Sequence, residues 1–147
     1  MYQRILVPID GSDTSQRALQ EAIKVGNRES QLRLVYVLEE NYLLDAEGFA
    51  YIDLVDLQKA VRLTGERTLA LAADKVKQSG TKVETVLLEA KGERIANVIE
   101  NEAKHWQANL IVIGTHGRSG INRMLLGSVA EGVVRVSSVP VLLVRAE

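Results

Sequence analysis

The sequence predicts an α/β fold, a doubly wound five-stranded parallel sheet with helices on both faces. Three observations predict it. Short apolar runs alternate with helix-period patterns along the whole chain, in the order β-α-β-α-β-α-β-α-β. Two of those runs, Ile5-Leu6-Val7-Pro8-Ile9 and Leu110-Ile111-Val112-Ile113, are almost continuously apolar, the pattern of strands covered on both faces. Strict strand–helix alternation in turn favours parallel strands joined by right-handed crossovers. With 147 residues, one domain spanning 1–147 is expected.

Each element has its own signal. Strand 1 is Ile5 to Ile9. Ser12 then offers a helix N-cap, because its hydroxyl oxygen accepts an otherwise unpaired amide. Ala18 with Ala22 and Leu19 with Ile23 repeat every four residues, and Gly26 offers a stop. Leu32 to Leu38 reads as strand 2. After a stretch from Glu39 to about Ile52, Leu54, Leu57, Val61, Thr68, Ala72 and Val76 keep one apolar helix face. Gly80 ends that helix, since glycine enters the left-handed cap without a Cβ penalty. Val83 to Leu88 is strand 3, and Ile95, Ile99 and Ala103 mark the next helix. Leu110 to Ile113 is strand 4, Val129, Val133 and Val136 mark the last helix, and Val139 to Val144 is strand 5. Pro140 suits a strand start or an edge, because it cannot donate to a ladder. A strand order of 3-2-1-4-5, a Rossmann-like arrangement, accommodates the pattern.

Composition narrows the function. The chain has no cysteine, which removes disulfides, thiolate catalysis and cysteine metal sites. Its two histidines, His105 and His116, are too few for a histidine-rich metal site. The net charge of −1 argues against nucleic acid or an anionic membrane surface as partner. The apolar run at the N-terminus is too short for a signal peptide or a membrane helix, so a cytoplasmic protein is expected.

The segment that carries chemistry follows strand 4: Gly114-Thr115-His116-Gly117-Arg118-Ser119-Gly120-Ile121-Asn122-Arg123-Met124-Leu125-Leu126-Gly127-Ser128. It begins where a buried strand stops and ends where a helix starts. Glycines lack the Cβ that keeps backbone amides away from a ligand. The free amides and positive dipole end of the last helix, at Gly127 and Ser128, favour an anion. Arg118 and Arg123 add positive charge, and together these features suit a polyphosphate. It is neither a Walker loop, for want of a lysine after the glycine, nor a dinucleotide fingerprint, whose glycine spacing differs. A second loop, Pro8-Ile9-Asp10-Gly11-Ser12, follows strand 1. Asp10 either binds a base, ribose or cation, or caps its own turn. With strands 1 and 4 adjacent where the order reverses, both loops line one crevice.

At these residues the chain resembles the nucleotide-binding branch of the universal stress protein family. Gly114-x2-Gly117-x9-Gly127-Ser128 matches that family's G-x2-G-x9-G-[ST] motif. Arg4 to Ser12 and Pro140 to Val144 also look like the family, so the resemblance spans the chain. It implies ATP, or AMP or ADP as a bound product, with Mg or Mn. By the resemblance Gly114, Thr115, His116, Gly117, Arg118, Gly127 and Ser128 surround ribose and phosphates, and Val129 adds an amide. Pro8, Ile9 and Asp10 flank the adenine, and Val37 contacts the base. It also implies a homodimer paired through the last strand, Val139 to Val144, a stress-response or regulatory role, and at most slow ATP hydrolysis or autophosphorylation with no assigned catalytic residue. Asn109, where many relatives have aspartate, and Lys91-Gly92-Glu93, which lacks a common proline, depart from the pattern outside the motif. Two other readings stay open: a nucleotide-free dimeric regulatory module of the same family, and an adenylating enzyme of the ATP pyrophosphatase type. The latter is echoed only in part by Asp10-Gly11-Ser12-Asp13-Thr14-Ser15.

Overall fold

The structure, a computed structural model, describes residues 2–39, 54–116 and 126–145. Its strands are β1 (Arg4–Pro8), β2 (Gln31–Leu38), β3 (Lys82–Glu89), β4 (Leu110–Gly114) and β5 (Val141–Val144). They form one five-stranded sheet in the order β3-β2-β1-β4-β5, and every pairing is parallel. The helices are α1 (Asp13–Val25), α2 (Leu54–Gln78), α3 (Ile95–Trp106) and α4 (Ser128–Val136). The expected architecture and order are therefore present.

The continuous apolar runs feed two cores, because successive strand side chains point to opposite faces. Ile5, Val7, Leu34 and Val112 pack beneath α1 and α2, against Leu19, Ala22, Ala72 and Val76. Leu6, Val35 and Ile111 pack on the other face beneath α3 and α4, against Ile99, Trp106, Ala130 and Val133. Fully burying a Val, Leu or Ile is worth about 1.5–3 kcal/mol, so β1 and β4, buried on both sides, anchor the fold.

Several boundaries and faces differ from the expectation. Ile9 lies past the end of β1, yet its N–H still donates to the Val35 carbonyl at 2.7 Å. Val139 and Pro140 precede β5, where Pro140 can only accept, and does so from Ile111 N–H at 3.0 Å. Val136 is 40% exposed; Ala130 and Val133 fill the core instead, so the buried face of α4 is rotated from the 129/133/136 stripe. On α2, Leu69 and Ala73 join the buried face and Leu57 and Val61 are only half-buried. Gly65 sits there because an added Cβ would lie 2.9 Å from Leu87 Cδ1 and the Tyr36 ring. Most of the Glu39 to Ile52 stretch lies outside the described residues.

The amino ends of the strands form a rigid base, remote from the loops of interest. Asn109 Oδ1 accepts from the N–H groups of Gln3 at 3.2 Å and Arg4 at 2.8 Å, tying β1 to β4. Arg33 pairs with Glu84 at 2.7 Å and with Glu102, and lies 4.9 Å from the centroid of the buried Trp106 ring. Next to β5, the buried Glu100 carboxylate accepts from Ser138 N–H at 3.1 Å and Oγ at 2.7 Å, which fixes the turn into that strand.

Helices α3 and α4 meet at Gly132, where an added Cβ would lie 2.7 Å from Ala96 Cβ. Gly132→Val is expected to lose about 1–3 kcal/mol through overpacking. Urea unfolding checks it; unchanged stability would mean the helices do not approach this closely.

Candidate functional site

The pairing of β1 with β4, set by Ile5 opposite Leu110 and Leu6 opposite Ile111, places the loops after both strands at one end of the sheet. The connections from β1 and β4 depart to opposite faces there, and this is where an open α/β sheet leaves a crevice.

On the β1 side the chain makes several hydrogen bonds to itself. Asp10 Oδ1 accepts from Ser12 N–H at 2.8 Å, the turn-capping role, and Gly11 takes φ +85° within that turn. Ser12 Oγ accepts from Ser15 N–H at 3.2 Å, and Ser15 Oγ donates to the Ser12 carbonyl at 3.0 Å. Ser12 is thus the expected N-cap of α1.

On the β4 side the chain leaves donors free. Thr115 N–H donates to the Val144 carbonyl at 2.9 Å, and Thr115 O accepts from Gly127 N–H at 2.7 Å. That second bond brings the two ends of the glycine-rich segment together. Gly127 caps α4 without any side-chain hydrogen bond, and the first helical bond runs from Glu131 N–H to Gly127 O at 2.9 Å. The amides of Ser128, Val129 and Ala130 find no acceptor among the described residues. Unfilled first-turn amides carry the positive end of the helix dipole and suit an anion. Beside them, His116 Nδ1 lies 3.0 Å from Thr115 Oγ1, while its Nε2 is buried without a hydrogen-bond partner.

The two sides touch. Thr14 Oγ1 donates to the His116 carbonyl, a contact that no sequence pattern signalled. A Cβ on Gly114 would lie 2.9 Å from the Thr14 carbonyl carbon, Cβ and carbonyl oxygen. A Cβ on Gly127 would lie 2.8 Å from the Thr115 carbonyl oxygen. Both glycines are therefore demanded by the close approach of the chain to itself, a different reason from the ligand access expected of them.

Of the sequence-derived candidates, the structure brings Gly114, Thr115, His116, Gly127 and Ser128 together. Pro8, Ile9 and Asp10 lie at the neighbouring strand end. Ile9 is buried toward α1 and α2, whereas Val37, near the end of β2, and Val129 are half-buried on the α3 and α4 side. Gly117, Arg118 and Arg123 lie outside the described residues. His105 is exposed in the last turn of α3, and Trp106 is packed between helix and sheet. The two arginines beside the Trp106 ring, Arg4 and Arg33, come from the neighbouring strands β1 and β2, far from Trp106 in sequence, and were not foreseen. Among the described residues no group of three or more His, Asp or Glu side chains is placed to hold a metal ion, so a cation would need ligand oxygens. No helix among them is long and apolar enough to cross a membrane.

Fold and site together define a doubly wound α/β protein with an anion-ready cradle at its topological switch point. The family model described as "Universal stress protein family" matches residues 1–145, and the chain belongs to that family. Universal stress protein YxiE of Bacillus subtilis is 34% identical over 151 residues, covering 99% of this chain and 100% of the relative. The solved structure of MJ0577, from Methanocaldococcus jannaschii, superposes with a TM-score of 0.83 at 26% identity, covering 98% of this chain and 96% of that one. A universal stress protein from Archaeoglobus fulgidus, solved in complex with dAMP, has a TM-score of 0.68 at 26% identity, with 98% of each chain covered.

Because the atoms facing Gly114 belong largely to backbone, Gly114→Ala is expected to cost about 1–3 kcal/mol of stability even without ligand. Chemical denaturation of the ligand-free protein checks it; full stability would mean that Thr14 and β4 do not meet as described.

Proposed function

We propose that this universal stress protein binds an adenine nucleotide, ATP with Mg or Mn in its working state, across the carboxyl ends of β1 and β4. One observation carries the reading: three amides at the start of α4 with no acceptor among the described residues, beside a loop base closed by the Thr115–Gly127 bond. Ser128, Val129 and Gly127 face the phosphates with the glycine-rich segment, including Gly117 and Arg118. Gly114, Thr115 and His116 lie by the ribose, and Pro8, Ile9, Asp10 and Val37 lie by the adenine. The dAMP carried by the A. fulgidus relative supports an adenine ligand. The cation would be held by the phosphates, since Asp10 already gives an oxygen to the Ser12 amide. The whole chain works as one nucleotide-binding domain in the cytoplasm. Its output is nucleotide occupancy, a stress-response or regulatory signal with slow or no hydrolysis.

Two copies pair through β5. Val141-Leu142-Leu143-Val144 is an uncharged edge, and Leu142 and Leu143 are exposed. The opposite edge, β3, is guarded by Lys82, Glu84 and Glu89, as edges that avoid pairing are.

Calorimetry with ATP and magnesium, and with AMP, is expected to show saturable binding, weakened in Gly127→Ala. No binding at millimolar nucleotide would overturn the reading in favour of the nucleotide-free module. Light scattering is expected to give twice the chain mass, falling to the single-chain mass in the double variant Leu142→Lys, Leu143→Glu. A monomeric parent protein would remove the dimer.

A further inference from the structure

We propose that Thr14 is a positioning residue of the nucleotide site. Its hydroxyl clamps the base of the glycine-rich segment to α1 and thereby aims the free amides of α4. The inference rests on the nucleotide reading above and adds a residue that the motif does not contain.

Thr14 is the second residue of α1 and is 6% exposed. Threonines on α2 spend their hydroxyls locally: Thr64 Oγ1 donates to Ala60 O at 3.1 Å and Thr68 Oγ1 to Thr64 O at 2.8 Å. Thr14 reaches instead across the crevice, to the His116 carbonyl 102 residues away, with Ser12 Oγ 3.2 Å from its oxygen. The absence of a side chain at Gly114 lets this approach happen, because that Cβ would fall on the Thr14 backbone.

From His116 the connection continues through covalent and hydrogen bonds. Thr115 is its neighbour, and Thr115 O holds Gly127 N–H, the cap of α4. The same Thr115 holds the end of β5 through Val144 O at 2.9 Å. Arg17, one turn beyond Thr14 on the same side of α1, donates from Nε to Arg145 O at 3.1 Å. Helix α1 thus grips both the loop base and the end of β5, with the α4 amides one hydrogen bond away. A cradle held in this way loses less freedom when an anion arrives, and the saving appears as affinity. Removing the Thr14 donor leaves the His116 carbonyl short of a partner and the base free to shift.

The test compares Thr14→Val, which keeps the shape and loses the donor, with Thr14→Ser, which keeps the donor. AMP and adenosine binding are measured by calorimetry, at a temperature where circular dichroism shows each variant folded. Thr14→Val is expected to weaken AMP about tenfold, on the scale of one lost buried hydrogen bond, with a smaller loss for adenosine. Thr14→Ser is expected to restore the AMP affinity. A folded Thr14→Val with parental AMP affinity overturns the proposal, as does a Thr14→Ser that binds as weakly as the valine variant. An equal loss for AMP and adenosine also overturns it, since the clamp acts on the phosphate cradle. If Thr14→Val does not fold, Thr14→Ala replaces it, and equal AMP affinity in the alanine and serine variants is the overturning result. Failure of the parent protein to bind AMP at all defeats the nucleotide reading itself, and so is told apart from failure of the clamp.

Discussion

When β1 pairs with β4, the chain joins segments more than a hundred residues apart, Ile5 with Leu110 and Leu6 with Ile111, at the centre of the sheet. Both strands are buried on both faces, so their register is set by two cores at once. A slip by one residue would turn every apolar side chain toward the wrong layer. Asn109 holds the starts of the two strands together, and their carboxyl ends consequently emerge side by side. The loop after β1 and the loop after β4 meet because of this pairing, and the crevice is a by-product of how the core is packed.

What the crevice can bind follows from an asymmetry between two helix starts. Both α1 and α4 begin at this end of the sheet, each with amides that need partners. At α1, Ser12 supplies the cap from within the chain. At α4 the capping residue is glycine, which has no side chain to offer, and three amides find no acceptor among the described residues. On the proposed reading the charge of an anion is met at α4, with the β1 loop alongside it. The Nε2 of His116 is buried with no hydrogen-bond partner among the described residues.

How much of this the residues announced depends on the distance over which each signal acts. Strand runs, helix periodicity and the order of elements are local patterns, and the five strands and four helices occur in the expected order, with shifted ends at β1 and β5. The motif glycines were legible because strand end, glycine spacing and helix start coincide within fifteen residues. The physical reason for Gly114 and Gly127 was not legible, since the atoms that exclude a Cβ come from Thr14 and Thr115 in the folded state. Thr14 itself looked like an ordinary first-turn residue, and only the β1–β4 pairing brings it to His116. The stacking of Arg4 and Arg33 on Trp106 was hidden for the same reason. At Val136 the expected stripe missed the core: Ala130 and Val133 are buried, whereas Val136 is 40% exposed.

The two sheet edges differ in character, and one hydrogen bond joins the β5 edge to the loop base. β3 is long and charged, and its glutamates are already engaged: Glu84 with Arg33, and Glu89 with Arg62. β5 is short and uncharged, with leucines exposed on both faces. An unpaired edge of that kind recruits another strand. Its last residue, Val144, pairs with Gly114 and accepts from Thr115 N–H, the residue whose carbonyl holds the cap of α4. In the proposed dimer a second copy along β5 would adjoin the strand from which the loop base hangs, so association and nucleotide binding are expected to couple. Such coupling is reciprocal by thermodynamic necessity: whatever factor the dimer adds to nucleotide affinity, the nucleotide adds to dimer affinity.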